Sequence, residues 1–436
     1  MSESLKRMIG PLWRALASGK SYDIGLHIGL ERVNLMQLKP GAPRPVVRAA
    51  ASLNHGTSRD ELIADPARLK KLIKRAFAEQ PFRGNRVVTC LPNDQIKMLL
   101  LNYTMSEGTS EADAVVRELR ERVHEELDGM VVDYIPVRQE HPSRPKEAIV
   151  AMAARDKVTA YLDALSESGL EVASLDVAPA ALARLLSWIG AADLTTHPNL
   201  LLINFGARSS YLTVVWGRRL MLDRSIEFAE ERLLARLKNI LDIPEATGKR
   251  LLLERGFGTS AGREDANELA HTLKEVLRPE FVALKREVNQ TLRDPGPQAT
   301  EPPPQRDQQT GVERAQPTSA ASGAGSEISH TLKEVLRPEF AALKTEVDNT
   351  LVYTASRAHG RTVDRIYVVG SIARYPGIEH LLREQFSMPL KILDPFSIFS
   401  HRLSKKELAW LWPRSGVAAA TGLALRGVPV QWPTST

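Results

Sequence analysis

Residues 23–38 read DIGLHIGLERVNLMQL. Ile24, Leu26 and Ile28 alternate with Gly25, His27 and Gly29, and a second apolar run extends from Val33 to Leu38. Alternating apolar residues on either side of a short glycine-containing break predict a strand, a turn and a second strand. A third strand is expected over 46–53, after Pro43-Arg44-Pro45. The pattern returns at 200–226, LLLINFGARSSYLTVVWGRRLMLDRSI, with strands over 200–206, 210–216 and 219–226 and turns at Gly206 and Gly217. Two such hairpins, about 180 residues apart, predict two pseudo-repeated lobes.

Between and beyond the hairpins the periodicity alternates between strand and helix. Residues 66–78 predict a helix with Pro66 near its start, where proline is tolerated, and strands follow over 86–91 and 95–103. Residues 106–171 read as an inserted unit: a helix over 112–127, strands over 130–137 and 147–153, and a helix over 155–168. The main body resumes with 171–178 and a helix over 180–189. The late segment predicts a strand over 365–371, a helix over 377–386, a strand over 390–393 and a closing helix over 415–426. Strands mixed with covering helices define an α/β chain of mixed sheets.

The 436 residues are 43% hydrophobic and 25% charged, enough for two or more sizeable cores. The net charge of +6 is mild for this length. The clusters Lys70-Lys71 with Lys74-Arg75, and Arg402 with Lys405-Lys406, read as solvated helix faces, so no nucleic-acid partner is expected. A single cysteine, Cys90, rules out an internal disulfide and a four-cysteine zinc site. Its neighbours, Val87-Val88-Thr89 and Leu91, make it a small buried hydrophobe. No H-E-x-x-H, G-x-S-x-G or Walker A pattern occurs. No run approaches the roughly 18 apolar residues of a membrane span, and the expected location is cytoplasmic. Residues 1–20 carry Leu5, Met8, Ile9, Leu12, Trp13 and Leu16 on one helical face among Lys6, Arg7, Arg14 and Lys20. Such a basic amphipathic segment packs on the body, is disordered, or meets a partner or an anionic membrane peripherally.

A short repeat interrupts the second half. Residues 267–292 (NELAHTLKEVLRPEFVALKREVNQTL) and 326–351 (SEISHTLKEVLRPEFAALKTEVDNTL) share the block HTLKEVLRPEF. Both copies are expected to be helical, with Pro279 and Pro338 at a kink or a helix start. Six of the 27 prolines fall between them, over about 293–325, in a stretch with almost no large apolar residue. That composition predicts a disordered linker.

Five stretches in order resemble the PilM family of type IV pilus assembly proteins, within the actin-like superfamily that includes FtsA. They are the hairpins at 23–38 and 200–226, KEAIVAMAARDKVTAYLDALSESGLEVASLDV at 146–177, IYVVGSIARYPGIEHLLREQFSMPLKILDP at 366–395, and SGVAAATGLALR at 415–426. The resemblance covers residues 22–436 apart from the linker. It implies an actin-like fold of two lobes, each a ribonuclease H-like mixed sheet with flanking helices. The first lobe is expected over 22–198, with a small inserted α/β subdomain, and the second over 199–436.

The resemblance also implies a nucleotide cleft between the lobes. Gly25, Gly29, Gly206, Ser209, Ser210 and Gly370 fall where the superfamily lays its backbone against phosphates. Lys249 falls near the ribose and base contact, or is a solvated lysine. The two acids that would orient magnesium are replaced by His27 and Asn204, and magnesium prefers carboxylate and water oxygens. Asp23 could substitute for the first acid, but it stands four residues before His27, at the entrance of the strand. Ser371 and Phe228-Ala229 stand where the family carries glycines. The expectation is a vestigial cleft with no catalytic residue, no metal and no resident cofactor, ATP with magnesium being the cofactor the resemblance would supply.

The implied function is that of a cytoplasmic adaptor, peripheral to the inner membrane. It would bind the N-terminal peptide of a bitopic, PilN-like protein and meet other pilus or secretion platform proteins. The peptide groove is expected between the first lobe and its inserted subdomain, walled by the strand at 98–103 and the helix at 115–127. Val116, Leu119, Val123 and Leu127 on that helix, at helical spacing, read as core before interface. The alternatives are a nucleotide-driven ATPase of the FtsA kind and a type II secretion scaffold like the cytoplasmic domain of GspL. The mannose-sensitive pilus protein MshI is a further relative of this fold.

Overall fold

The computed structural model describes residues 21–41, 44–123, 127–137, 145–193, 198–217, 219–258, 320–357, 362–411 and 414–428. The N-terminal segment 1–20, the first repeat copy and the linker up to residue 319 lie outside the described residues.

Strands β1 (Ile24–Ile28), β2 (Arg32–Lys39) and β3 (Val46–Asn54) form an antiparallel meander in which His27 faces Asn34 across the ladder. Helix α1 (Arg59–Ile63) opens on a capping box, with Ser58 accepting from the Glu61 backbone and Glu61 returning to Ser58, a Ser-x-x-Glu signal the sequence carries. Helix α2 (Pro66–Glu79) is capped by Asp65 and starts on its proline. It buries Leu69, Ile73 and Ala76 while Lys70, Lys71, Lys74 and Arg75 face solvent. Strand β4 (Arg86–Cys90) runs parallel to β1, and Cys90 is buried within it.

The insertion follows as β5 (Lys97–Tyr103), α3 (Glu111–Arg122), β6 (Met130–Val137), β7 (Lys146–Ala154) and α4 (Arg155–Glu167). Its three strands make a separate antiparallel sheet in the order β5-β7-β6. The insertion therefore opens at Lys97, ahead of the expected boundary near residue 106. Helix α3 stops at Arg122, because Val123 turns extended, and a short 3-10 turn covers Leu127–Gly129 where the helix was expected to continue. Side chains alternate across this sheet. Leu101, Tyr103, Ala148 and Val150 pack with Ala114, Val115 and Leu119 of α3 into a small core. Strand β8 (Glu171–Asp176) then completes the first sheet, β3-β2-β1-β4-β8.

After α5 (Ala178–Asp193), strands β9 (Asn199–Phe205), β10 (Ser210–Trp216) and β11 (Arg219–Ile226) form a second meander. Helices α6 (Glu230–Leu241), α7 (Glu245–Glu254) and α8 (Ala320–Arg357) come next, then β12 (Arg365–Gly370), α9 (Ile378–Gln385), β13 (Leu390–Ile392), α10 (Lys405–Leu411) and α11 (Ser415–Ala424). The second sheet is ordered β11-β10-β9-β12-β13. Each large sheet is thus a three-strand meander followed by two strands parallel to the first, and the pseudo-repeat expected from the hairpins is present. Helix α8 begins at Ala320, so residues 320–325, assigned to the linker by composition, are helical. That stretch contains no proline, and alanine is the strongest helix former. Pro338 lies inside α8.

Both large sheets belong to one compact unit, made of residues up to 230 with 342–374 and from 382 onward. Residues 231–341 and 375–381 form a second unit. One buried cluster within the first unit joins Met36, Leu38 and Ala50 of the first sheet to Leu200, Leu202 and Val369 of the second through α5 and α11. Helix α11 achieves this with small residues. A β-carbon on Gly25 would lie 1.9 Å from the Ala420 carbonyl oxygen, and one on Gly422 would lie 2.0 Å from that of Ala181 in α5. No helix among the described residues is long and apolar enough to cross a membrane.

Candidate functional site

At the turn of the first hairpin the Gly29 N–H donates to the Arg32 carbonyl at 2.8 Å. The buried Asn34 amide donates to the same carbonyl at 3.3 Å. The His27 Nδ1 is buried and has no hydrogen-bond partner among the described residues. Burial, with the Arg59 guanidinium adding to it, lowers the His27 pKa to about 4, so the ring is neutral at pH 7. The N-terminal turn of α11 presses on this pair: a β-carbon on Gly416 would lie 2.2 Å from the Asn34 amide nitrogen and 3.0 Å from His27 Nδ1. Gly25, by contrast, faces the backbone of α11 at Ala420 and Ala424. Asp23 pairs with Arg86 at 3.4 Å at the entrance to β1.

In the second hairpin, the Gly206 N–H donates to Ser210 Oγ at 3.3 Å, and the Gly206 carbonyl accepts from the Glu230 N–H at 3.1 Å. Ser209 lies in the turn, where its carbonyl oxygen would be 2.1 Å from a β-carbon on Gly206. Asn204 lies in β9 between Tyr211 of β10 and Val369 of β12. Gly370 has φ +112°, and a β-carbon there would meet the Phe205 carbonyl at 2.1 Å, so glycine is needed for β12 to close on β9. Ser371 donates its N–H to that carbonyl at 2.9 Å and its hydroxyl to the Gly206 carbonyl at 3.3 Å. Phe228 packs on Phe205 with ring centroids 5.6 Å apart. The hairpin turns, Ser371 and the start of α11 belong to the first unit. Lys249 lies on α7, partly buried, in the second unit.

Three arginines that sequence reading passed over enter this region. Arg32 is held by the Ser52 hydroxyl at 2.8 Å, Arg374 donates Nε to the Ser371 carbonyl at 3.2 Å, and Arg414 donates Nε to the Trp410 carbonyl at 2.6 Å. Burial first, then the charges of Arg32 and Arg374, lower the Arg414 pKa to about 10. Arg32 lies within the quoted hairpin, but no local signal links it to residues more than 300 positions away. Among the described residues no group of three or more histidine, cysteine or acidic side chains gathers as metal ligands.

A second feature is a cleft of about 940 Å³ on the outward face of the inserted sheet. Met98, Ile135 and Ile149 come from that sheet, Leu175 from β8, Trp188 from α5, and Leu220 from β11. The stretch 425–428, just past α11, forms another wall. Strands β6, β8 and β11 each end their sheets, and an edge strand carries main-chain groups able to pair with another segment. At the cleft, the buried Asp176 carboxylate accepts from Arg184 at 2.8 Å and Arg426 at 2.9 Å, and Arg184 also donates to the Gly422 carbonyl at 2.7 Å. The strand at 98–103 supplies only its outward residue Met98. Helix α3 supplies no lining residue, because Leu119 lies in the core on the opposite face and Val123 and Leu127 pack against it.

Two similarly wired sheets joined through α5 and α11 define an actin-like protein. The type IV pilus assembly protein PilM family matches residues 25–258 and 313–428, and the chain belongs to that family. Among solved structures, a chain of a PilM-PilN type IV pilus biogenesis complex is similar at 19% identity with a TM-score of 0.61, covering 94% of this chain and 99% of that one. The ethanolamine utilization protein EutJ of Carboxydothermus hydrogenoformans aligns at 12% identity over 93% of this chain and 89% of its own, with a TM-score of 0.42. MreB5 of Spiroplasma citri bound to ADP aligns at 13% identity over 94% and 97%, with a TM-score of 0.39. No curated protein matches the chain.

Proposed function

We propose that this protein is a cytoplasmic adaptor of a type IV pilus or related secretion machine. It captures the N-terminal peptide of a PilN-like, bitopic inner-membrane protein in the cleft beside the inserted sheet. The observation that carries the reading is the lining of that cleft: apolar side chains bordered by three sheet-ending strands. An extended peptide gains main-chain bonds from such edges and specificity from alternate side-chain pockets. The similar solved structure is a PilM-PilN complex, which supports the choice of partner.

The nucleotide region is read as vestigial, without turnover. His27 and Asn204 replace acids, Asn34 and Gly416 fill the first hairpin turn, and Arg32, Arg374 and Arg414 gather there, with Glu230 paired to Arg374 at 3.8 Å and Glu31 acting on Arg32 and Arg414. Magnesium favours carboxylate and water oxygens, which His27 and Asn204 do not supply at the two acid positions. Gly29, Gly206, Ser209, Ser210 and Gly370 remain as backbone scaffolding of the hairpin turns and of β12.

The test is fluorescence anisotropy with a labelled peptide carrying the partner's cytoplasmic leader. Val131 lines the cleft and is exposed, so Val131→Asp should leave folding intact and weaken binding at least about tenfold. Equal binding by wild type and V131D would refute this placement, and no binding by wild type would refute the adaptor reading.

A further inference from the structure

Within the second unit, residues 329–341 of α8 occupy a well-defined seat. Leu332, Val335, Leu336 and Phe340 are buried, and Phe257 meets Phe340 edge-on at 5.3 Å. The buried Glu339 takes Arg232 at 2.5 Å and Arg236 at 3.6 Å, and Arg236 also donates to the Val335 carbonyl at 2.6 Å. These contacts specify the helix by shape and by charge.

The chain carries that specification twice. Leu273, Val276, Leu277, Glu280 and Phe281 stand at the same places in the first repeat copy. The copies differ at seven of 26 positions. Of the six differing side chains described in the seated copy, Ile328, Ala341, Thr345, Asp348 and Asn349 are exposed or partly exposed. The sixth, Ser329, is buried and small, and alanine replaces it in the first copy. Five of these six differences fall on exposed or partly exposed positions, and Leu332, Val335, Leu336, Glu339 and Phe340, which fill the seat, are identical in the first copy. The family match passes from residue 258 to residue 313, so it includes the second copy and omits the first.

We propose that the first copy, residues 267–292, offers through residues 270–282 an alternative occupant of the seat held by residues 329–341 of the same chain. The connection permits it. Ser329 Oγ lies 3.4 Å from the Arg255 carbonyl, beside the end of α7. The corresponding Ala270 follows Arg255 by 15 residues (270 − 255), a reach of up to roughly 50 Å. Seating the first copy leaves residues 293–351 to close as a loop, which disfavours it and makes it the minor occupant. Weakening the second copy shifts the population toward the first.

The experiment is a double-mutant cycle in the full-length chain, read by thermal unfolding. Phe281→Ala alone should leave the melting temperature unchanged. The double variant F281A/F340A should melt about 10 °C lower than wild type, the cost of an unfilled aromatic site. Phe340→Ala alone should fall by at most about half of that, because the first copy refills the seat. A double variant no worse than F340A would overturn the proposal. So would rescue accompanied by a dimer in light scattering, since the exchange would then be between molecules. If F340A does not fold, Val276→Ala and Val335→Ala run the same cycle at lower cost.

Discussion

Gly25 lies against Ala420 so closely that a β-carbon on the glycine would be 1.9 Å from the alanine carbonyl oxygen. The first strand and the last helix meet backbone to backbone. Gly25→Ala should force them apart and destabilise the chain by roughly 2–3 kcal/mol, seen as a lower urea midpoint. An unchanged midpoint would mean that this contact is not tight in solution.

Arg184→Ala should cost about 1–3 kcal/mol, because it strips one donor from the buried Asp176 carboxylate and one from the Gly422 carbonyl. Peptide affinity should fall with it, since both groups hold the wall of the cleft. Arg184→Lys should recover little, lacking the planar fork that reaches both acceptors.

Arg32, Arg374 and Arg414 predict a response to anions that needs no magnesium. Phosphate or sulfate at tens of millimolar, with EDTA present, should raise the melting temperature by binding the folded chain. Arg414→Gln should reduce that rise while relieving repulsion from Arg32 and Arg374. An equal rise in R414Q would place the anion elsewhere.

Two groups, His27 and Asp223, set opposing pH dependences. Folding lowers His27 from 6.5 to about 4, so the unfolded chain binds more protons in that interval and stability falls as pH drops from 6.5 toward 4. Burial raises Asp223, which accepts from Thr213 at 2.6 Å, from 3.8 to about 7. The folded chain then keeps a proton that the unfolded chain has lost, and stability falls as pH rises from 4 toward 7. Each slope is at most about 1.4 kcal/mol per pH unit. Urea midpoints from pH 4 to 8 should show His27→Asn removing the acid-side loss and Asp223→Asn removing the loss toward neutrality.

The two meanders, the inserted strands and the closing helix were legible because each announces itself by local periodicity and turn residues. Helix α3 was drawn too long: its charge pattern continues past Arg122, but Val123 turns extended. Gly25 was legible as a special glycine, yet its reason was not, since the backbone that excludes a side chain belongs to Ala420. Strand β5 was assigned whole to the groove, whereas alternation sends Leu101 and Tyr103 to α3 and Met98 to the cleft. The arginine group and the 425–428 wall combine segments hundreds of residues apart, and no single-sequence pattern joins them.

The contact between Gly25 and Ala420 also orders events during synthesis. The ribosome makes Gly25 395 residues before Ala420 (420 − 25). At about 5–20 residues per second, the first sheet waits roughly 20–80 s for the helix that covers its inner face. Throughout that interval Met36, Leu38 and Ala50 lack their eventual neighbours on α11. A nascent chain stalled before residue 415 should therefore be a strong chaperone client, and one released past residue 428 should not.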